Sequence, residues 1–205
     1  RNDMARFAAD PPEVLSRLKL VPRQFVVALA NTQAHKNIGL LLKAFAAPSL
    51  NDLKLVLVGA ANREQFEALG HSVPPNVVFA GPVSDEALRA LLESALCFGC
   101  PSTTEGFGLP PLEGMVLGCP AIMAPCGALP EVGGESALFA APDDPRQWAA
   151  AICRLADEAD HWTHYSRAGR ERASYFTWKR AGEQLLEVIK EVAIARAPKR
   201  RQLQT

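Results

Sequence analysis

The chain has no surplus of either charge: its 205 residues carry 22 Lys+Arg and 22 Asp+Glu, so the formal net charge is zero. Surfaces that hold DNA, RNA or anionic membranes show a basic excess, and here basic residues cluster only in the last few positions. Nucleic acid is therefore not an expected partner. Cysteine is scarce and odd in number, with Cys97, Cys100, Cys119, Cys126 and Cys153 at irregular spacing. Such a set does not read as a disulfide framework and points to a reducing, cytoplasmic compartment. No charged-then-apolar leader follows the opening Arg1-Asn2-Asp3-Met4, and no unbroken apolar run reaches the length of a membrane span. The uncharged stretch from Gly114 to Pro130 comes nearest, but Gly118, Pro120, Pro125, Gly127 and Pro130 interrupt it. It reads as a buried strand between turns. Internal repeats and low-complexity tracts are absent as well.

What remains is a folded, soluble protein. A hydrophobic share of 48% with 21% charged residues is ordinary for a globular domain, and the length suits one large domain or one and a half. Short apolar runs recur at Phe25 to Ala30, Leu53 to Val58, Val77 to Ala80, Leu96 to Cys100, Pro120 to Met123 and Ala137 to Ala140. Most are apolar on both faces, as parallel strands covered by helices are. Between them lie amphipathic stripes: Ile38, Leu41, Leu42 and Phe45; Leu88, Leu91, Leu92 and Ala95; and, after the cap Asp144-Pro145, Trp148, Ile152 and Leu155. The alternation predicts an α/β fold with a doubly wound, Rossmann-like parallel sheet, whose ligands bind beyond the carboxyl ends of the strands. From about His161 the pattern turns helical, through Trp178, Leu185, Leu186 and Ile189, and ends in a polar tail at Lys199-Arg200-Arg201-Gln202 that is expected to fray.

Four loops follow those strands. In Glu105-Gly106-Phe107-Gly108-Leu109-Pro110-Pro111-Leu112-Glu113, two glycines allow close approach of a ligand and two prolines open a short helix that stops at Gly118. Its free N–H donors, from Gly106 to Leu109 and from Leu112 onward, form an anion site suited to a diphosphate. Carboxylates beside such a site need a purpose, and sugar or ribose hydroxyls provide one. The alternative is that Glu113 only serves the helix dipole while Glu105 is solvated. The second loop, Asn31 to Asn37, places Lys36 at the start of the next helix, where a ligand phosphate is a better partner than the dipole. For a lone lysine, plain exposure is the commoner state. The third, Gly81-Pro82-Val83, is placed to bracket a planar base with main-chain groups. The fourth, Cys126 to Gly134, either closes over a donor sugar or is a surface turn.

Pro101-Ser102-x-x-Glu105-Gly106-Phe107-Gly108-Leu109-Pro110, with Glu113, resembles the E-x7-E signature of the retaining glycosyltransferases of GT-B fold, the glycosyltransferases group 1. His35-Lys36-Asn37, Gly118-x-Pro120, Leu129-Pro130-Glu131-Val132 and Phe176-Thr177-Trp178 are similar to that family in the same order, so the likeness runs from about Phe25 to Trp178. The resemblance implies the C-terminal half of a GT-B fold and a nucleotide diphosphate sugar as donor. It assigns donor sugar to Glu105 with the amides of Gly106, Phe107, Gly108 and Leu109, ribose to Glu113, and diphosphate to Lys36, with Glu105 and Lys36 as the catalytic pair. Many members carry arginine where Asn31 stands, and alanine where Gly114 stands. No cofactor and no metal are implied, and the sequence lacks the D-x-D pair of the other major glycosyltransferase fold.

Members have two such domains, so the resemblance further implies an absent N-terminal domain or subunit and a glycan or lipid-linked acceptor held mainly by it. Residues 1–22 are expected to form the linker, 23–178 the donor-binding domain, and 179–205 a C-terminal helix and tail. Peripheral contact with the inner face of the membrane would belong to the missing half. Two other readings stand beside it: a GT-B nucleotide-sugar epimerase, and a non-catalytic nucleotide-sugar-binding subunit. Other motifs are weak. Cys97 and Cys100 sit three apart in a strand and should face opposite sides. His161 and His164 offer two metal ligands at best, and Asp157-Glu158-Ala159-Asp160 has no P-loop to accompany it. No G-x-G-x-x-G follows the first strand, which argues against a nicotinamide or flavin enzyme.

Overall fold

The computed structural model describes residues 13–196. The readings of the linker start and of the tail at Lys199 to Gln202 lie outside those residues.

Six strands form where the apolar runs predict them, each within two residues at either end: β1 (Phe25–Leu29), β2 (Lys54–Val58), β3 (Val77–Gly81), β4 (Cys97–Cys100), β5 (Ala121–Met123) and β6 (Leu138–Phe139). All pair in parallel, in the order β3-β2-β1-β4-β5-β6. Successive side chains of a strand point to opposite faces, so each strand feeds two cores. Phe25 and Val27 enter one core and Val26 and Ala28 the other. Cys100 and Cys97 divide in the same way, which settles the C-x-x-C spacing as a strand pattern rather than a thiol pair.

One face is covered by α1 (Glu13–Arg17), α4 (Asp85–Ser94), α5 (Leu109–Leu117) and α8 (Ala159–Ser174), through Val14, Leu91, Leu112, Met115 and Ala173. The other is covered by α2 (Ile38–Phe45), α3 (Arg63–Ala68) and α7 (Pro145–Asp157), through Leu41, Phe45, Phe66, Trp148 and Ile152. The expected stripe Trp148, Ile152 and Leu155 is buried, and Asp144 caps α7 by accepting from the Arg146 N–H at 2.9 Å. That bond is also the main reason the Asp144 carboxyl titrates below its ordinary value. Two further helices are short α6 (Leu129–Gly133) and α9 (Trp178–Arg196), whose Trp178, Leu185, Leu186 and Ile189 are all exposed.

The short helix α5 is defined by its two ends. Gly108 (φ 92) precedes it and Gly118 (φ 81) follows it, both in the left-handed region that glycine enters most easily. Its last carbonyls are met from α8: Arg170 donates to Leu117 O at 2.8 Å, and the Ser166 hydroxyl donates to Gly118 O at 2.7 Å. A Cβ on Gly118 would collide with the Arg170 guanidinium. Gly114 lies against Phe98, Cys119 and Leu92 at 3.5–3.7 Å from an ideal Cβ, so it faces neighbouring segments rather than a ligand.

Candidate functional site

Where β1 and β4 stand side by side, the chain winds outward in opposite directions and leaves a crevice at their carboxyl ends. The loop after β1 brings Lys36 to this crevice and the loop after β4 brings Glu105. The Lys36 ammonium donates to Glu105 Oε1 at 2.7 Å, and the Ser102 hydroxyl donates to the same oxygen at 2.8 Å. Lys36 and Glu105 side chains are 29% and 14% exposed, so the carboxylate is neither solvated nor isolated. Ser102 is buried. Together with Leu29, Asn31, Ile38 and Pro110 they line a cleft of about 50 Å³.

Lys36 does not start α2, as its position in the sequence suggests. It ends a 3-10 turn (Ala34–Lys36), and Asn37, left-handed at φ 54, separates that turn from α2. The α2 dipole therefore does not oppose the ammonium directly; Glu105 is its partner.

Around Glu105 the main chain is open to a ligand. The N–H groups of Gly106, Phe107, Gly108 and Leu109 meet no acceptor among the described residues. Leu112 does not join them, because its N–H already bonds to Gly108 O at 3.3 Å within the first turn. The available donors are thus the four amides ahead of the prolines. Phe107 is exposed and packs edge-on against Phe176, with ring centroids 5.7 Å apart. Glu113, one turn into α5, is half-buried and does not line the cleft.

The fourth loop is tied to this centre. Ala128 N–H donates to Glu105 O at 3.0 Å, and a Cβ on Gly127 (φ 58) would come within 2.5 Å of that oxygen. The third loop stands apart. Gly81, at φ 71, ends β3, two strands away from β1, and Pro82 and Val83 line a separate cavity of about 290 Å³ with Glu13, Val14 and Arg17 of α1. Asn31 uses its side-chain oxygen locally, accepting from Gln33 N–H at 2.8 Å. Two residues outside the sequence-based set join the site: Ser102, and Asn37, whose amide reaches two other loops. Both lie in stretches that carry the family resemblance, Pro101-Ser102 and His35-Lys36-Asn37, but a short polar residue three positions before Glu105 and an asparagine before a helix are too common to be given a role by sequence alone.

The described residues contain no group of three His, Cys, Asp or Glu side chains that could hold a metal ion. His161 and His164 each pack their rings edge-on against Tyr165. No described helix is long and apolar enough to cross a membrane.

Sheet order, helical cover and a cation–carboxylate pair at the switch point define a Rossmann-like unit of the kind that forms the C-terminal half of GT-B proteins. Residues 23–158 match the family described as glycosyl transferases group 1, and the chain belongs to that family. It is 30% identical to the O-antigen chain mannosyltransferase B of Escherichia coli over 90% of its own length and 50% of the relative. It is 41% identical to the MMP alpha-(1->4)-mannosyltransferase of Mycolicibacterium hassiacum over 56% of its length and 28% of the relative. A D-inositol 3-phosphate glycosyltransferase of Salinispora arenicola is 30% identical over 92% of this chain and 46% of the relative. The chain thus spans half or less of these curated relatives. Among solved structures it is similar to sucrose-phosphate synthase of Thermosynechococcus elongatus (TM-score 0.76, 24% identity, 94% of this chain and 51% of that one). Anabaena HepE in complex with UDP and glucose is similar at TM-score 0.76 and 20% identity, over 92% of this chain and 55% of that one.

Proposed function

We propose that this chain is the donor-binding part, centred on residues 23–178, of a retaining glycosyltransferase. It takes a nucleotide diphosphate sugar of the GDP-mannose or UDP-glucose type and, with an N-terminal domain or subunit, transfers the sugar to a glycan or lipid-linked acceptor in the cytoplasm. The observation that carries this reading is the Lys36–Glu105 pair at the switch point, followed in the chain by four amides that meet no acceptor among the described residues. A cation and free N–H groups suit a diphosphate, and a carboxylate suits sugar hydroxyls. The mannosyltransferase names among the relatives, and the UDP and glucose bound to HepE, support the same class of donor.

In this reading Lys36 and the amides of Gly106 to Leu109 hold the diphosphate. Glu105 offers Oε2, which no described residue engages, to the sugar. Glu113 takes the ribose, and the main chain of Gly81 and Val83 takes the base. The bond from the anomeric carbon to the phosphate oxygen breaks, and the diphosphate leaves with the electron pair. The acceptor hydroxyl then bonds to the anomeric carbon on the same face and passes its proton to the departing phosphate. The chain's contribution is positioning and stabilisation of the leaving charge, and the scheme uses no metal.

Calorimetric titration with UDP, GDP, UDP-glucose and GDP-mannose tests the proposal. Lys36→Ala and Glu113→Ala are each expected to weaken binding about tenfold or more, the scale of a charge-assisted contact. If neither substitution changes the affinity for any of the four, the site assignment is wrong. Epimerised sugar formed without an acceptor would favour a nucleotide-sugar epimerase instead.

A further inference from the structure

Asn37 stands between Lys36 and the first residue of α2 with φ 54 and ψ 31. Glycine adopts that conformation at least cost, and asparagine tolerates it while adding two amide donors. The side-chain Nδ2 donates to Pro101 O at 3.1 Å and to Pro142 O at 2.7 Å. Pro101 begins the loop that carries Glu105, and Pro142 lies beyond β6. A flipped amide would set its oxygen against two carbonyl oxygens, so this network allows one orientation. The main chain is pinned on both sides too: its N–H donates to Ala34 O at 3.1 Å, and its carbonyl accepts from Leu40 N–H at 3.0 Å. One residue therefore joins the loops after β1, β4 and β6. Beside it, the loops after β1 and β4 share a main-chain bond, Thr103 N–H to His35 O at 2.8 Å.

We infer that Asn37 is a positioning residue of this site. Through its amide, beyond its turn conformation, it holds the loops after β1 and β4 at the separation at which Lys36 and Glu105 meet. The inference rests on the donor-binding role given to that pair. A ligand bearing both phosphate and sugar then meets a cation and a carboxylate at a preset spacing, and binding need not order two loops.

Asn37→Gly separates the two roles, since glycine keeps the left-handed turn and loses both amide bonds; Asn37→Ala loses the bonds and strains the turn as well. In the 205-residue chain, the readouts are amide hydrogen exchange at Thr103 and the dissociation constants for UDP-glucose and GDP-mannose. Asn37→Gly is expected to speed exchange at Thr103 about tenfold, and to weaken binding of the preferred donor about tenfold, the worth of one or two hydrogen bonds. In a Lys36→Ala background the same substitution should cost no further affinity, because positioning acts through Lys36. If Asn37→Gly matches the native chain in both readouts and only Asn37→Ala is impaired, Asn37 is a turn residue and the inference is overturned. If the native chain binds neither donor, the functional reading fails by itself. Exchange at Thr103 then decides on the tie alone: unchanged exchange overturns it and faster exchange sustains it.

Discussion

Lys36 Nζ lies 2.7 Å from Glu105 Oε1, across the gap between the loops that leave β1 and β4. The two residues are 69 positions apart in sequence and meet only because β1 and β4 are neighbours in the sheet. On the proposed function the pair has a cost for ligand binding, because a diphosphate drawn to Lys36 would have to share or displace the carboxylate that already holds the ammonium.

Glu105→Gln should therefore act in opposite directions on two ligands. Loss of the carboxylate frees Lys36, and affinity for UDP or GDP should rise about threefold to tenfold, the range of a part-exposed ion pair or one hydrogen bond. Affinity for the sugar conjugate should not share that gain. The measured quantity is the ratio of the two dissociation constants, and an unchanged ratio would exclude a sugar contact for Glu105.

Two glycines offer a matched test of stability. Gly127→Ala forces a Cβ against the Glu105 main chain at a left-handed position, and should destabilise the fold by about 1–3 kcal/mol while weakening nucleotide binding. Gly114→Ala sits in a helix interior with ordinary contacts on every side, and should stabilise by about 0.5–1 kcal/mol. Urea denaturation of both variants gives the signs.

Burial drives the Cys97 and Cys119 thiols well above their usual range and pushes Cys100 up to about 11. Iodoacetamide at pH 8 should therefore label the half-exposed Cys126 and Cys153 and spare the other three until the chain unfolds. The raised values also set the sign of an alkaline effect. The unfolded chain releases these protons first, so the Cys100 contribution is intact below the ordinary value of 9.0 and declines as pH climbs from there to about 11. Thermal melts across that window should fall.

Chelation gives a further test. If Lys36 and the four amides carry the diphosphate, millimolar EDTA should leave the affinity for UDP or GDP unchanged. A drop that added magnesium restores would require an ion in the site.

The fold was legible because most of the strands are apolar on both faces, as strands of a parallel sheet covered by helices on each side are. That Lys36 and Glu105 lie in loops beyond the carboxyl ends of β1 and β4 was legible from their place after those strands. The seat of Lys36 was not, since periodicity does not show that Asn37 turns left-handed and detaches Lys36 from α2. Ser102 and the amide bonds of Asn37 escaped for a related reason: they depend on which loops meet in space, and a single sequence carries no record of that. The sequence also suggests donors from Leu112 onward, but the first turn of α5 consumes the Leu112 N–H internally.

The helix α8 bears on where this chain can be divided. The family match ends at residue 158, yet α8 begins at Ala159 and serves the earlier residues throughout. Trp162 bonds to Leu96 O at the edge of β4, Ser166 and Arg170 hold the end of α5, and Arg172 bonds to Val132 O at the end of α6. A fragment cut at the end of the matched region would leave the Leu117 and Gly118 carbonyls without their α8 donors and α5 without its neighbour, so the loop that enters α5 would lose its mounting. The packed structure around the site therefore extends past the matched region, to the Phe176 ring that packs edge-on against Phe107.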